Sequence, residues 1–196
     1  MATLHHICVY CGSSSGRGDG YLSQATALAQ VMVKRNIGLV YGGASIGVMG
    51  RLADEVLKHN GRVIGIIPKM LATKEIAHPG LTELHITHSM HERKQLMAEL
   101  ADGFIALPGG IGTLEELFEI WTWAQLGLHQ KPCGLLNSSG YYDALNTFLD
   151  HMHHEGFVKP HHRQLLMLES DPDALLDRFD HYRAPVIEHW ITPDQA

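Results

Sequence analysis

A run of glycines at the start of a helix is a device for holding an anion. This chain carries one at Pro108-Gly109-Gly110-Ile111-Gly112-Thr113-Leu114-Glu115-Glu116. Glycines let the backbone approach a bound group closely. The helix that follows offers unpaired N–H groups and the positive end of its dipole. Thr113 adds a hydroxyl donor, and a phosphate is the natural guest. The plain alternative is a tight strand-to-helix turn without a ligand. Three glycines and a threonine, placed directly after the apolar run Phe104 to Leu107, favour the phosphate. The motif is not a Walker A loop, because no Gly-Lys-Ser/Thr follows. Nor is it the dinucleotide Gly-x-Gly-x-x-Gly in its usual first position.

A second feature is an arginine among apolar neighbours. In the segment after Ser89, residues Met90, Leu96, Met97, Leu100 and Ala101 form one arc at helical spacing, and Arg93 projects near its middle. Glu92, Gln95 and Glu99 take the opposite face. A guanidinium aimed at the core edge needs an anionic partner or a ligand, unless its stem packs and its head reaches water. Beside a phosphate edge, ligand contact is favoured. Lys94 falls nearer the polar face and reads as a solvated cation.

Glu115 and Glu116 diverge by about 100° around their helix. Glu115 shares a stripe with Glu119 and Thr122, whereas Glu116 lies between Ile120 and Trp123. A carboxylate in apolar surroundings suits acid–base or electrostatic work. Acidic residues in a first helical turn also complement the dipole, and without the glycine loop that account would suffice.

The elements around these residues alternate strand, glycine turn and helix. Strands are expected at His6 to Cys11, Ile37 to Tyr41, Val63 to Ile67, near Leu84 to Ile86, and at Phe104 to Leu107, Cys133 to Leu136 and Leu165 to Leu168. Helices are expected from about Tyr21 to Arg35, around Met49 to Leu57 with Gly61 at the C-terminus, from Ser89, from the glycine loop to about Gln125, from about Tyr142 to His153, and after Asp171-Pro172. Ser89 and Glu92 form a capping box. Repeated βα units with apolar strands predict an α/β fold, a doubly wound and mostly parallel Rossmann-like sheet with helices on both faces. No linker or repeat divides residues 1–196, which read as one domain. Glycine turns at Gly12 to Gly16, Gly42 to Gly50 and Gly109 to Gly112 should share the carboxyl edge, where such sheets bind ligands.

Composition bounds the alternatives. With 45% hydrophobic and 18% charged residues, the chain is neither disordered nor membrane-spanning, and no apolar run approaches the ~20 residues a spanning helix needs. A net charge of −6 without basic blocks argues against nucleic acid. Three cysteines and no signal-peptide pattern fit the cytoplasm. Cys8 and Cys11 would face opposite sides of a strand, which argues against a shared metal or disulfide. The histidines at 151, 153, 154, 161 and 162 read as a solvated helix end rather than a metal site. Ser13 and Ser14 have no His and acid partners in a nucleophile motif.

Pro108 to Glu116, together with His91-Glu92-Arg93-Lys94 upstream, resembles the Lonely Guy (LOG) family of cytokinin riboside 5′-monophosphate phosphoribohydrolases, long mislabelled as lysine decarboxylases. The resemblance extends in order through Cys11 to Ser14, Tyr41 to Ala44, Gly47 to Gly50, Ile64 to Pro68 and Trp121 to Leu126. It implies hydrolysis of the N-glycosidic bond of an N6-modified AMP to free base and ribose 5-phosphate, without cofactor or metal. It places the catalytic pair on Arg93 and Glu116. It places substrate contacts on Glu75, Arg93, Lys94, Gly110, Ile111, Gly112, Thr113, Leu114, Glu115, Glu116 and Thr122. A non-catalytic nucleotide or cofactor carrier on the same fold is the alternative; such a module needs the loop but not both Arg93 and Glu116. Lysine decarboxylation would ordinarily need a pyridoxal phosphate Schiff base, for which no signature is visible. A homodimer is expected. Leu114, Leu117, Phe118 and Trp121 on one side of a helix, with Ile120 and Trp123 on the other, demand cover on more than one side. The chain's own C-terminal segment is the competing cover.

Overall fold

Seven strands with apolar side chains on both faces need helices above and below, and the chain supplies them. The structure, a computed structural model, describes residues 4–72 and 77–185. The strands are β1 (His6–Tyr10), β2 (Gly38–Tyr41), β3 (Val63–Pro68), β4 (Glu83–Thr87), β5 (Gly103–Ala106), β6 (Cys133–Leu136) and β7 (Leu166–Glu169). All pairings are parallel, in the order β4-β3-β2-β1-β5-β6-β7. The order reverses between β1 and β5, so the crevice of this doubly wound sheet opens beyond Tyr10 and Ala106, which are register partners.

The helices are α1 (Gly20–Lys34), α2 (Gly47–Lys58), α3 (Lys69–Ala72), α4 (Met90–Leu100), α5 (Ile111–Gln125), α6 (Asp143–His154), α7 (Pro160–Arg163) and α8 (Pro172–Asp180). The α1, α2 and α8 helices cover one face, and α4, α5 and α6 the other. The period of two along β1 sorts its side chains between these layers. Ile7, Val9 and Cys11 enter the first core, while Cys8 and Tyr10 enter the second. The two cysteines therefore point apart, as their spacing implies. Ile7, Leu39 and Ile105 are fully buried, each contributing about 2 kcal/mol of transfer free energy.

Local chemistry explains the element ends. Ser89 accepts the Glu92 amide at 3.1 Å, and Asp171 accepts that of Ala174 at 2.9 Å, with Pro172 at the first helical position. The return arm of the Ser89 capping box departs from expectation. The Glu92 carboxylate accepts from His88 N–H at 2.7 Å instead of from Ser89. The end of α2 also differs. Asn60 takes the left-handed turn at φ 59°, and Gly61 is needed for close packing, because a Cβ there would lie 2.6 Å from Val56 and 2.8 Å from Val33.

After α5 the chain turns through His129. Its Nε2–H donates to Ile120 O at 2.8 Å, and its Nδ1 accepts from Lys131 N at 3.1 Å. That arrangement requires the neutral ring, and burial lowers the pKa to about 4. The unfolded chain takes up its proton near pH 6.5 and the folded chain near 4. The stability this ring contributes is thus complete above about 6.5 and is lost, by on the order of 3 kcal/mol, as pH falls to 4. An NMR titration should find the His129 ring still neutral at about pH 5.5; a midpoint at the ordinary histidine value would contradict this account.

Candidate active site

The three glycine turns meet at one residue. Gly12 N–H donates to Pro108 O at 3.3 Å, and Gly12 O accepts from both Val48 N and Met49 N, at 3.1 and 3.2 Å. The contacts are too close for side chains. A Cβ on Gly12 would lie 3.3 Å from Gly109 Cα, and one on Gly47, whose φ is +61°, would lie 2.3 Å from Ser13 O. The turns therefore share the carboxyl edge as expected, but not equally. The α2 N-terminus commits its Val48 and Met49 amides to Gly12. The α5 N-terminus is different: Leu114 N is its first amide with an intrahelical acceptor, Gly110 O. The amides of Ile111, Gly112 and Thr113 precede it and have no intrahelical partner.

Ile111 stands at the apex, 87% exposed, and Gly112 is exposed beside it. Thr113 is only 4% exposed, because its side chain tucks under Gly109; a Cβ on Gly109 would lie 2.1 Å from Thr113 Oγ1. The hydroxyl expected at the anion thus lies against Gly109, within the glycine loop. Leu114 is half-buried against the core. Glu75 lies outside the described residues.

Arg93 follows the apolar arc inward and is 6% exposed. Its Nε donates to Ile66 O at 3.2 Å, and Nη1 lies 3.9 Å from Met90 Sδ. Its Nη2 is 3.6 Å from Glu116 Oε1, with only 8% and 12% of the two side chains exposed. The fold thus brings these two residues together from separate helices. A buried ion pair is a poor way to gain stability, since desolvation offsets much of the attraction. It is a good way to hold two charges ready for a polar guest. Beneath the pair, burial pushes the Cys8 thiol up, with the Glu116 charge adding to the shift, and the same causes act on Cys11. Both stay neutral thiols and are unsuited to nucleophilic attack.

Lys94 departs from its expected solvated position. It is 8% exposed, lying between α4 and α5, with Nζ 2.5 Å from Glu115 and 2.9 Å from Glu119. Burial disfavours its charge, but the bonds to Glu115 and Glu119 outweigh this and hold the pKa above the ordinary lysine value. The helix-wheel view missed this because the facing acids belong to another helix. Thr122 is exposed, with Oγ1 donating to Phe118 O at 2.7 Å. It stands about 16 Å along the α5 axis from Ile111. Tyr141 and Tyr142, which sequence patterns did not single out, donate to Gly109 O and Leu107 O at 2.5 and 2.7 Å. Their signal, adjacent tyrosines after a strand, has no motif.

Gly42 makes room for the guanidinium. A Cβ there would sit 2.3 Å from Arg93 Nη2 and 3.2 Å from Met49 Sδ. Gly42→Ala should fold and melt within a few degrees of wild type, because the end of a flexible side chain can move. It should displace the guanidinium from Glu116. A crystal structure of the variant with Arg93 unmoved would refute this steric role.

Comparison with known proteins bears on what this arrangement does. The family model described as "Possible lysine decarboxylase" matches residues 49–179. A cytokinin riboside 5′-monophosphate phosphoribohydrolase from Rhodococcoides fascians is 49% identical over 175 residues, covering 89% of this chain and 88% of that protein. One from Arabidopsis thaliana is 49% identical over 177 residues, covering 90% and 81%. Among solved structures, the molybdenum cofactor binding protein of Rippkaea orientalis superposes with a TM-score of 0.67 at 22% identity, covering 90% of this chain and 96% of that one. That likeness speaks to the fold alone. With half its residues shared across nearly the full length of named relatives, and with the Arg93–Glu116 pair assembled beside the glycine loop, this chain belongs to the LOG family of cytokinin riboside 5′-monophosphate phosphoribohydrolases.

Proposed function

We propose that the protein hydrolyses the N-glycosidic bond of adenosine 5′-monophosphate carrying an N6 substituent, or of AMP itself, to the free base and ribose 5-phosphate, and so activates cytokinins. The observation that carries this is the meeting of Arg93 with Glu116 at the edge bearing a donor-rich loop, in a chain 49% identical to named phosphoribohydrolases. A carrier would need the loop but no such pair.

In this reading the amides of Gly110, at the N-cap, and of Ile111, Gly112 and Thr113 in the first turn of α5 anchor the 5′-phosphate and fix the ribose against the pair. The C1′–N9 bond breaks as C1′ gains cationic character and the purine gains negative charge. Glu116 supplies negative charge beside the sugar; Arg93 orients Glu116 and offsets charge on the nucleotide. Water adds its oxygen to C1′, and its proton ends on the base. The atoms balance with water alone, so no cofactor or metal is called for. Lys94 holds Glu115 toward the nucleotide. The contact expected from Glu75 completes the set.

We also infer a cytoplasmic homodimer, each copy acting as one domain. The free cysteines Cys8, Cys11 and Cys133 suit a reducing compartment. Trp121 is covered from within, its indole donating to His162 O at 3.0 Å. Trp123 is not. It lines a groove of about 590 Å³ between α4 and α5, with His91, Gln95, Glu119, Leu128 and Lys131. A second copy along this groove would cover Trp123. It would also bring Thr122 toward a nucleotide held by the other copy, which its distance from Ile111 on α5 otherwise prevents.

Arg93→Ala and Glu116→Ala should each lower kcat by roughly 10²-fold or more while the circular dichroism spectrum stays native. Glu115→Gln should be milder on turnover and act mainly on binding. Near wild-type turnover in Glu116→Ala, with loss in Glu115→Gln, would reverse the two assignments. The 5′-monophosphate should be cleaved far faster than the riboside, and comparable rates would sink the phosphate anchor. For the assembly, light scattering at micromolar concentration should give twice the chain mass; a value near 21.7 kDa would refute the dimer and leave the chain's own C-terminal segment, beyond the described residues, as the cover.

A further inference from the structure

An anion loop works only if its carbonyls are turned away from the anion, because each carbonyl oxygen carries negative charge of its own. In a trans peptide the C=O of one residue and the N–H of the next point in opposite directions. Tying a carbonyl to one side therefore aims the following amide to the other. The loop at the β5–α5 junction has its carbonyls tied one after another. Leu107 O accepts from Tyr142 Oη at 2.7 Å, Pro108 O from Gly12 N at 3.3 Å, Gly109 O from Tyr141 Oη at 2.5 Å, and Gly110 O from Leu114 N at 3.3 Å. Two of the four donors are phenols from adjacent residues on the loop after β6.

That loop is itself built to present them. Ser139 and Gly140 are consecutive left-handed residues, with φ of 51° and 73°. The Asn137 side chain accepts Tyr142 N at 2.7 Å and donates to Asp143 at 2.6 Å, closing the turn. Tyr141 packs edge-on against Tyr142, with centroids 4.9 Å apart, and against Tyr21, at 5.6 Å. Tyr21 in turn leaves no room for a side chain at Gly16, where a Cβ would lie 2.5 Å from its ring. Tyr142 is 1% exposed, and burial holds its phenol far above the ordinary tyrosine value, so it is a donor throughout the working range. Tyr141 is 42% exposed, so its hydroxyl can be removed without opening the core.

We infer that Tyr141 and Tyr142 are positioning residues for phosphate recognition: Tyr141 holds the Gly109 carbonyl away from the anion and thereby aims the Gly110 amide at it, while Tyr142 ties the Leu107 carbonyl, which is followed by Pro108 and so by no amide, and fixes the base on which the loop stands. The inference rests on the proposed role of this loop as the 5′-phosphate anchor. It assigns neither tyrosine to the reacting atoms. Removing the Tyr141 hydroxyl frees the Gly109–Gly110 peptide to rotate, so the loss falls on groups that carry phosphate and spares compounds without it.

The test is calorimetric titration of wild type, Tyr141→Phe and Tyr142→Phe with ribose 5-phosphate and with ribose, alongside steady-state kinetics on AMP. Tyr141→Phe should weaken ribose 5-phosphate binding about five-fold, the effect of one hydrogen bond, and leave the melting temperature almost unchanged. KM for AMP should rise by a similar factor, with kcat within about two-fold of wild type. Tyr142→Phe should weaken binding and also lower the melting temperature, since it leaves Leu107 O buried without its donor. Unchanged ribose 5-phosphate affinity in Tyr141→Phe would overturn the proposal. So would a fall in kcat at unchanged KM, which would put the hydroxyl in the chemistry. If wild type binds ribose 5-phosphate but cleaves no nucleotide, and Tyr141→Phe weakens that binding, the positioning role stands and the proposed reaction falls. If wild type cleaves AMP and the hydroxyl deletion changes nothing, the reverse holds.

Discussion

The site depends on a backbone-to-backbone contact at Gly12. Its amide reaches Pro108 O at the end of β5, and its carbonyl takes two amides at the start of α2. A side chain would press on Ser14 O and Gly109 Cα, at 3.1 and 3.3 Å, and each would have to give by a few tenths of an ångström. Because β1 and β5 are neighbours at the point where strand order reverses, their turns are pressed together, and a Cβ on Gly109 would come within 2.8 Å of Gly12 N. The contact distinguishes the helix N-termini at this edge: α2 commits its Val48 and Met49 amides to holding the turns together, whereas the first three amides of α5 have no intrahelical partner.

The same edge accommodates a buried charge. Arg93 crosses above Gly42 with its Nε fixed on the Ile66 carbonyl, so its path is set by β2 and β3 before Glu116 is considered. The energetic gain of this pair is small once desolvation is counted. Retaining it places two charges beside an otherwise apolar layer that includes Met97, Leu117 and Phe104. Conflict between local stability and the observed arrangement is expected where a site does chemistry.

Much of this was legible in the residues. The period of two along β1, the apolar run before the glycine loop and the arc around Arg93 prefigured the sheet, the turns and the inward arginine, because each depends on short-range geometry. Partnerships across elements were not legible. Lys94 looked solvated on its own helix wheel, and only the packing of α4 on α5 gives it Glu115 and Glu119. Nor could the sequence show how closely the Thr113 hydroxyl packs against Gly109. Tyr141 and Tyr142 lie some thirty residues past the loop they hold, in a turn whose left-handed pair, Ser139 and Gly140, bears no motif. The Glu92 carboxylate, expected on Ser89, is displaced by one residue to His88 because the extended backbone before α4 offers that amide instead.

The likeness to molybdenum cofactor binding proteins shows how little of the function the sheet decides. At 22% identity the strand order and layers persist, since these follow from apolar patterning and right-handed crossovers that many sequences satisfy. The doubly wound sheet guarantees a crevice at its reversal point and a free helix N-terminus beside it. It does not guarantee an inward arginine on α4, a glycine on β2's turn to admit it, or a carboxylate one turn into α5 to meet it. Those three requirements are separate in the sequence, at Arg93, Gly42 and Glu116, and coincide only in space. The fold supplies a place for a phosphate; the coincidence of these residues turns that place into a site for breaking a glycosidic bond in the reaction proposed here.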